Sequence, residues 1–279
     1  MSIRIVTDSS CDLPQAAVDE HNIRIVPLSI RFGDDEFIDR EELTPEQFWA
    51  KCAASATLPE TAAPAPGQFE QAYRDLAADG ATGIVVVTLS GALSATMQSA
   101  ELAARSVTDV VPVQVVDTRS VTLGVGTIAL ACARAGRDGA SIDDVADLAR
   151  SLADRTRVFG ALDTLENLKK GGRIGNARAL LASALSIKPI IEVRDGQVEQ
   201  GGRQRTRSKA LKFLVAKATE YEGRMGDLAV LHADCDDVDE FVAMLRPLHD
   251  GEIVVGQIGP VIGTHAGRGT IGVAFNVPS

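Results

Sequence analysis

The sequence predicts an α/β fold built as two domains: an N-terminal parallel-sheet α/β domain over residues 1–156 and a C-terminal α+β domain over 157–279. Three observations carry this expectation. Short β-branched runs alternate with longer helical patterns through the first half, the texture changes near residue 156, and the second half contains an Asp-Gly hairpin signal at 195–196. Alternation of strand and helix patterns is the mark of a parallel sheet with helices on its faces.

Taken in order, the runs at 3–7 (IRIVT), 23–30 (IRIVPLSI), 84–88 (IVVVT) and 112–117 (PVQVVD) are near-continuously apolar and bounded by turn residues. Such runs suit strands buried on both faces. Helical patterns fall between them at about 45–55, 67–79, 92–106 and 120–136, and a further amphipathic helix spans about 142–155. Beyond the boundary, VFGALD (158–163) reads as a strand, followed by helices at about 164–170 and 177–186. IKPIIEVRDGQVEQGGR (187–203) reads as a hairpin turning at Asp195-Gly196. A helix (208–222), a strand (228–232), a helix (237–248) and strands at 252–258 and 270–275 complete the expected order.

Composition narrows the function classes. The chain has 279 residues, 45% of them hydrophobic, which is a globular value with room for a buried cavity. Its formal net charge is −10, which argues against nucleic-acid binding, because that relies on a basic surface to displace counterions. The same balance disfavours static adhesion to an anionic membrane and leaves transient contact as the most a local basic patch would give. The four cysteines, Cys11, Cys52, Cys132 and Cys235, contain no C-x-x-C pair, so metal-ligand spacing is absent and no metal is expected. The opening MSIRIVTDSS reads as a strand rather than a signal segment, and no apolar run approaches the roughly 20 residues needed to span a bilayer. The expected location is the cytoplasm.

Four segments are candidates for a site. TDSSCDLP (7–14) follows the first strand, where ligands gather in open parallel sheets, and it brings Ser9 into consideration. Asp8, Ser9, Ser10 and Asp12 are also ordinary helix caps. In VVVTLSGALSATMQSAELAA (85–104), a buried strand ends at Thr88 and a helix is expected from about Ala92. Ser90, Ser94 and Thr96 then crowd a helix start that favours an anion. LPETAAPAPGQF (58–69) carries three prolines and reads as a stiff extended loop with Thr61 its only hydroxyl. GPVIGTHAGRGTIGVAF (259–275) contains Gly267, Gly269 and Gly272 at dinucleotide-fingerprint spacing. A strand rather than a helix follows, so the nucleotide reading fails and a glycine-surrounded His265 in a loop remains. Between 169 and 209 the acidic chain carries a basic island that includes Arg173, Arg203, Arg205 and Arg207, a solvated face or a docking surface for an acidic or phosphate-bearing partner.

Together these segments resemble the DegV family of bacterial fatty-acid-binding proteins. The matching blocks are IVTDSSCDLP (5–14), TAAPAPGQF (61–69), LSGALSATMQSA (89–100), VVDTRSVTLGVG (115–126), LENLKKGGRIG (165–175), LSIKPII (185–191) and IGTHAGRGTIGVAF (262–275). The resemblance implies a fatty acid buried between two domains, no cofactor, and no catalysis by the chain itself. It implies presentation of the lipid to a separate fatty acid kinase subunit, which uses ATP to make an acyl phosphate for phospholipid synthesis. It places the carboxylate-binding hydroxyls on Thr61 and Ser94. The family's T-H-x-G-x-G loop falls on Thr264 and His265, the arginine of its G-G-R-I block on Arg173, and the kinase-docking basic segment on Arg203, Arg205 and Arg207. The chain departs from the family where Ala62, Ala63 and Ala65 stand in a usual T-S-Q-P-S block, and where Ala95 replaces a glycine. A helical Ala95 still offers its backbone N–H to a carboxylate.

The chemistry suits such a ligand. Each buried methylene contributes roughly 0.8 kcal/mol, whereas the anionic head needs hydrogen bonds to offset its desolvation. The apolar stretches ALLASALSI (179–187) and LKFLVAK (211–217) are candidates to line the tail channel. The rival expectation is a serine hydrolase or acyltransferase with Ser94 or Ser90 as nucleophile and His265 as base, although G-x-S-x-G spacing is missing. A self-contained phosphotransferase lacks its phosphate-binding loop.

Overall fold

The computed structural model describes residues 2–182 and 187–277. The chain opens with β1 (Ile3–Asp8), a 3₁₀ turn (Ser9–Cys11), α1 (Gln15–Glu20) and β2 (Arg24–Val26). The apolar run read as one strand over 23–30 is two. Pro27 has no N–H for a ladder, so pairing with β1 ends at Val26 and a new strand, β3 (Ser29–Phe32), starts in another sheet. There follow β4 (Asp35–Ile38), α2 (Pro45–Ala54), β5 (Glu60–Ala62), α3 (Pro66–Ala78), β6 (Gly83–Thr88), α4 (Thr96–Arg105), β7 (Val113–Asp117), α5 (Leu123–Arg137) and α6 (Ile142–Arg155). Thr44 opens α2 with a capping box to Gln47, and Ser141 opens α6 with one to Asp144.

The second half runs β8 (Thr156–Ala161), α7 (Glu166–Lys170), a 3₁₀ segment (Gly175–Ala182), β9 (Lys188–Arg194), β10 (Gln197–Gln204) and α8 (Arg207–Thr219). It ends with β11 (Leu228–His232), α9 (Val238–Leu245), a 3₁₀ turn (Arg246–Leu248), β12 (Ile253–Gln257), α10 (Pro260–Ala266) and β13 (Ile271–Asn276). The helix expected over 177–186 is a 3₁₀ turn through Ala182, and residues 183–186 lie outside the described residues. Asp195 (φ 51°) and Gly196 (φ 79°) form the tight turn between β9 and β10, both in the left-handed region that this hairpin type demands.

The first sheet has the order β2-β1-β6-β7 with every pairing parallel, as expected. Its alternating side chains supply two cores. Val6, Ile84 and Val86 pack on α3 and α4 through Phe69, Tyr73, Ala100 and Ala103, while Ile5, Val85 and Val87 face α5 and α6. The second sheet is mixed, in the order β10-β9-β8-β13-β11-β12, and only β11–β12 is parallel. The sequence did not foretell a third, small antiparallel sheet, β4-β3-β5, in which Ile30 pairs with Thr61. Pro59 and Pro64 flank β5 without entering it, so the segment read as loop still forms an edge strand.

The change of sheet falls between α6 and β8, yet the core continues across it. Val158, Ala229, Leu231 and Ala274 of the second sheet pack in the same cluster as Ile5 and Val85 of the first. The joint is α5, a helix apolar nearly all round and buried over most of its length. Small residues set its depth: a Cβ on Gly126 would stand 2.8 Å from the Cys11 carbonyl oxygen and 3.0 Å from the Leu13 side chain. On the far face of the second sheet, Phe159, Val230, Val273 and Phe275 pack on α8 and α9. Among the described residues no helix is long and apolar enough to cross a membrane.

Gly126→Ala overpacks this joint and is expected to lower stability by about 1–3 kcal/mol. A shift of the urea midpoint at unchanged slope measures it, and an unshifted midpoint would show that α5 has slack.

Candidate functional site

A cavity of about 200 Å³ opens where β5, the loop after β6, the β9–β10 hairpin and α10 meet. Its wall is chiefly aliphatic: Leu28, Leu93, Ile191, Val193, Val198 and Val261 line it. Ile191 and Val193 alternate on one face of β9, which is why a hairpin of mixed polarity offers an apolar wall. At one end stand Thr61, Ser94, Ala95, Arg173 and His265. The structure thus brings together four segments that the sequence scatters from residue 61 to residue 265.

Each polar member is held locally. Thr61 sits at the centre of β5, and its Oγ1 lies 3.2 Å from Nε2 of His265. His265 is in the last turn of α10, not in a loop as expected. Gly259 and Pro260 start that helix and Gly267, at φ 83°, ends it. On α10, residues 261 and 265 are one turn apart and so share the cavity face. The ring packs against Gly171 so closely that a Cβ there would stand 2.3 Å from Nδ1. That nitrogen is buried without a hydrogen-bond partner among the described residues. Burial and, secondarily, the Arg173 charge push the imidazole down to about 4, so it is neutral at neutral pH.

Ser94 precedes α4, whose first residue is Thr96 rather than Ala92. Residues 92–95 instead turn back on Ser90, whose carbonyl accepts from the N–H groups of Leu93 and Ser94. Ser94 Oγ accepts from the Thr96 N–H at 3.3 Å and shares a hydrogen bond with Thr96 Oγ1 at 2.9 Å. Ala95, the residue before α4, has φ −80° and ψ 5°, close to helical. Arg173 crosses the mouth: its Nε donates to the Leu93 carbonyl (3.2 Å) and Nη1 to the Gly171 carbonyl (2.7 Å).

The other candidate residues stand apart from the cavity wall. Ser90 is buried, and its Oγ donates to the Gly196 carbonyl at 2.6 Å, tying the hairpin tip to the first half. Ser9 Oγ accepts from Leu28 N–H and lines a second cavity. Thr96 lies behind Ser94, and Thr264 Oγ1 donates to the Pro260 carbonyl within α10. Arg203 and Arg205 are exposed, whereas Arg207 makes a bidentate pair with Asp237 at 2.8 Å for both contacts. The LKFLVAK helix does not line the cavity. Leu211 and Leu214 of α8 fill the core on the opposite face of the second sheet, because the period of α8 points them there. Within 179–187, Leu180 packs beneath α7 with Leu165 and Leu168.

This arrangement suits an amphiphile with one anionic head. It offers hydroxyls, a backbone amide and a neutral imidazole at one end and hydrocarbon elsewhere. A Ser–His nucleophile pair is not formed, since His265 partners Thr61, Ser94 partners Thr96, and no acid orients Nδ1. Among the described residues no group of three or more His, Cys, Asp or Glu is disposed to hold a metal.

Comparison with known proteins accords with this geometry. The model of the DegV family, described as uncharacterised proteins, matches residues 2–277. A DegV domain-containing protein of Streptomyces coelicolor is 37% identical over 278 residues, 98% of each chain. A solved structure reporting fatty acid binding of a DegV family protein from Thermus thermophilus superposes with a TM-score of 0.90 at 36% identity, covering 100% of both chains. DegV of Bacillus subtilis, described as a fatty acid binding protein, gives 0.88 at 27% identity over 100% of both. A stearic acid-binding protein of Eubacterium ventriosum gives 0.88 at 26%, covering 99% of this chain and 98% of that one. With the family model spanning nearly its full length and relatives alike in sequence and fold, the chain belongs to the DegV family.

Proposed function

We propose that this protein binds a long-chain fatty acid and presents its carboxylate to a separate fatty acid kinase. The observation that carries the reading is the convergence of Thr61, Ser94, Ala95 and His265 on one end of an aliphatic cavity. Fatty acid binding by relatives of the same fold supports it. The reading takes 1–156 and 157–279 as two domains whose facing surfaces enclose the lipid.

The tail supplies most of the affinity at roughly 0.8 kcal/mol per methylene. The head is offset by hydrogen bonds from Thr61 and Ser94 hydroxyls, the Ala95 amide and the neutral His265. None of these is a bidentate cation, so one carboxylate oxygen stays free to attack a phosphoryl donor. Arg173 lies at the mouth as site support, and Ser9, Ser90, Thr96 and Thr264 act through the segments they hold rather than by touching the ligand. The chain itself performs no phosphoryl transfer. The kinase docks on the exposed Arg203 and Arg205, with the paired Arg207 shaping that surface. No cofactor is needed.

Mass spectrometry of denatured, purified protein is expected to release a fatty acid. A protein that is empty and also fails to take up added fatty acid would falsify the reading. Ser94→Ala removes one contact to a charged head, worth about 1.5–3 kcal/mol, or roughly a 10- to 100-fold weaker Kd in a fluorescent fatty-acid displacement titration. Unchanged affinity would put the head elsewhere. Replacing Arg203 and Arg205 together by Ala is expected to leave that Kd intact while slowing ATP-dependent acyl phosphate formation by the added kinase. Loss of lipid binding instead would place these arginines in the site.

A further inference from the structure

A second cavity, of about 490 Å³, lies on the other side of α10 and has two carboxylates in its wall, Asp12 and Asp39. Asp12 is 5% exposed and Asp39 1%. One oxygen of Asp12 is used: Oδ1 accepts from the backbone N–H of Gly259 at 2.9 Å, at the residue that caps the start of α10. Asp12 Oδ2 and both oxygens of Asp39 have no hydrogen-bond partner among the described residues. A Cβ built on Gly259 would stand 3.0 Å from Asp12 Oδ1 and 4.0 Å from Asp39 Oδ1, so both acids converge on the foot of the helix.

The charges around them do not balance. Arg40 is the cation that faces both acids, but its Nη2 donates to the Leu13 carbonyl and Gln15 Oε1 and it forms no ion pair with either. Asp8, at the end of β1, is a third acid within reach of Asp39, yet its oxygens already accept from Ser10 and Leu89. The Cys11 thiol stays neutral, pushed up to about 12 by burial. Thr122 and Ser9 face the pair with hydroxyls that do not reach hydrogen-bond geometry to it. Two buried carboxylates against one guanidinium leave an excess negative charge, and an unpartnered buried carboxylate is among the costliest groups to leave ionised. A single proton on either member of the pair removes that excess, and the cavity gives it a route to solvent.

We propose that Asp12 and Asp39 form an electrostatically coupled acid pair that positions α10, so that the hold of His265 on an anionic ligand depends on whether the pair carries a proton. This rests on the fatty-acid reading above. With the proton in place, Asp12 anchors Gly259 and α10 presents His265 beside Thr61. When the pair loses it to solvent, two like charges meet at the foot of α10 and loosen its seat. The direction of titration agrees: burial is the main cause that pushes Asp12 up to about 7 and Asp39 up to about 6. Because both carboxyls are raised, the stabilising proton is fully bound at low pH and is lost as pH rises through that interval. His265 titrates well below it.

The chain carries its own reporter. Trp49 is the single tryptophan, and its ring lies against α10, 3.1 Å from where a Cβ on Gly263 would be. In the full chain, Trp49 emission is expected to shift between pH 5.5 and 8.5 without any lipid, and fatty-acid affinity to fall several-fold over the same interval. Asp39→Asn, which mimics the neutral acid, is expected to abolish the emission shift and hold affinity flat. The ratio of wild-type to variant affinity at each pH cancels the fatty acid's own ionisation. Asp12→Asn neutralises the pair from the other side while keeping an acceptor for Gly259, and serves if the first variant does not fold. Identical pH profiles of wild type and variant overturn the proposal. If the wild type binds no fatty acid at any pH, the lipid reading fails, while the Trp49 titration still decides the pair.

Discussion

The architecture depends on one buried helix. α5 is apolar nearly all round because little beyond its last turn, at Arg137, reaches solvent: one side packs on β1 and β6, the other reaches β8, β11 and β13. Glycine at 126 lets its backbone approach the Cys11 carbonyl at a distance no side chain would tolerate. The parallel and mixed sheets are thereby locked into a single core. The loops at their facing ends, which supply Ser94 and the β9–β10 hairpin, inherit fixed relative positions from that packing.

The polar end of the cavity is built from parts with little freedom to rearrange. Thr61 is held by strand pairing and His265 by a helix pressed against Gly171, while a turn folded onto the Ser90 carbonyl holds Ser94. Under the proposed reading, an anion would be met by neutral donors because of the same burial that keeps the imidazole unprotonated: a hydrophobic wall that suits a hydrocarbon tail also disfavours a resident charge. Arg173, the nearby cation, spends its donors on the Leu93 and Gly171 carbonyls.

Much of the fold was legible because its signals were local. The four parallel strands announced themselves as β-branched runs, and Asp195-Gly196 named its own turn type. What stayed hidden depends on distant partners. The break at Pro27 could be guessed from the missing N–H, but not that Ser29 joins a separate sheet with Thr61's strand. Glycines around His265 suggested a loop, and only packing of Val261 and Ile262 against the cavity shows a short helix. Ser90 and Ser94 crowd one stretch of sequence, and the family resemblance put Ser94 forward. Their separation into a hairpin tether and a cavity hydroxyl is fixed by Gly196, more than a hundred residues away. Of the two stretches read as candidates for the cavity's aliphatic wall, LKFLVAK faces another core and residues 183–186 of the other lie outside the described residues. The hairpin strand that does line it went unread, because alternating polarity gives a weaker signal than an apolar helix.

The two bonds that cross the cavity mouth, Ser90 to Gly196 and Arg173 to Leu93, differ in kind from the α5 joint. Each is a single hydrogen bond of order 1 kcal/mol, whereas the joint is a continuous apolar core. β9 itself stays in place, since it pairs with β8 and Val193 lies in the shared core, so cheap movement is confined to the hairpin tip that Ser90 holds. For a ligand held as proposed, passage beside the tip would cost a hydrogen bond rather than unfolding, so residence time and affinity would be set by different parts of the protein. On that reading, a firmer tether at position 90, which does not line the cavity, would lengthen the dwell of a ligand without adding a single contact to it.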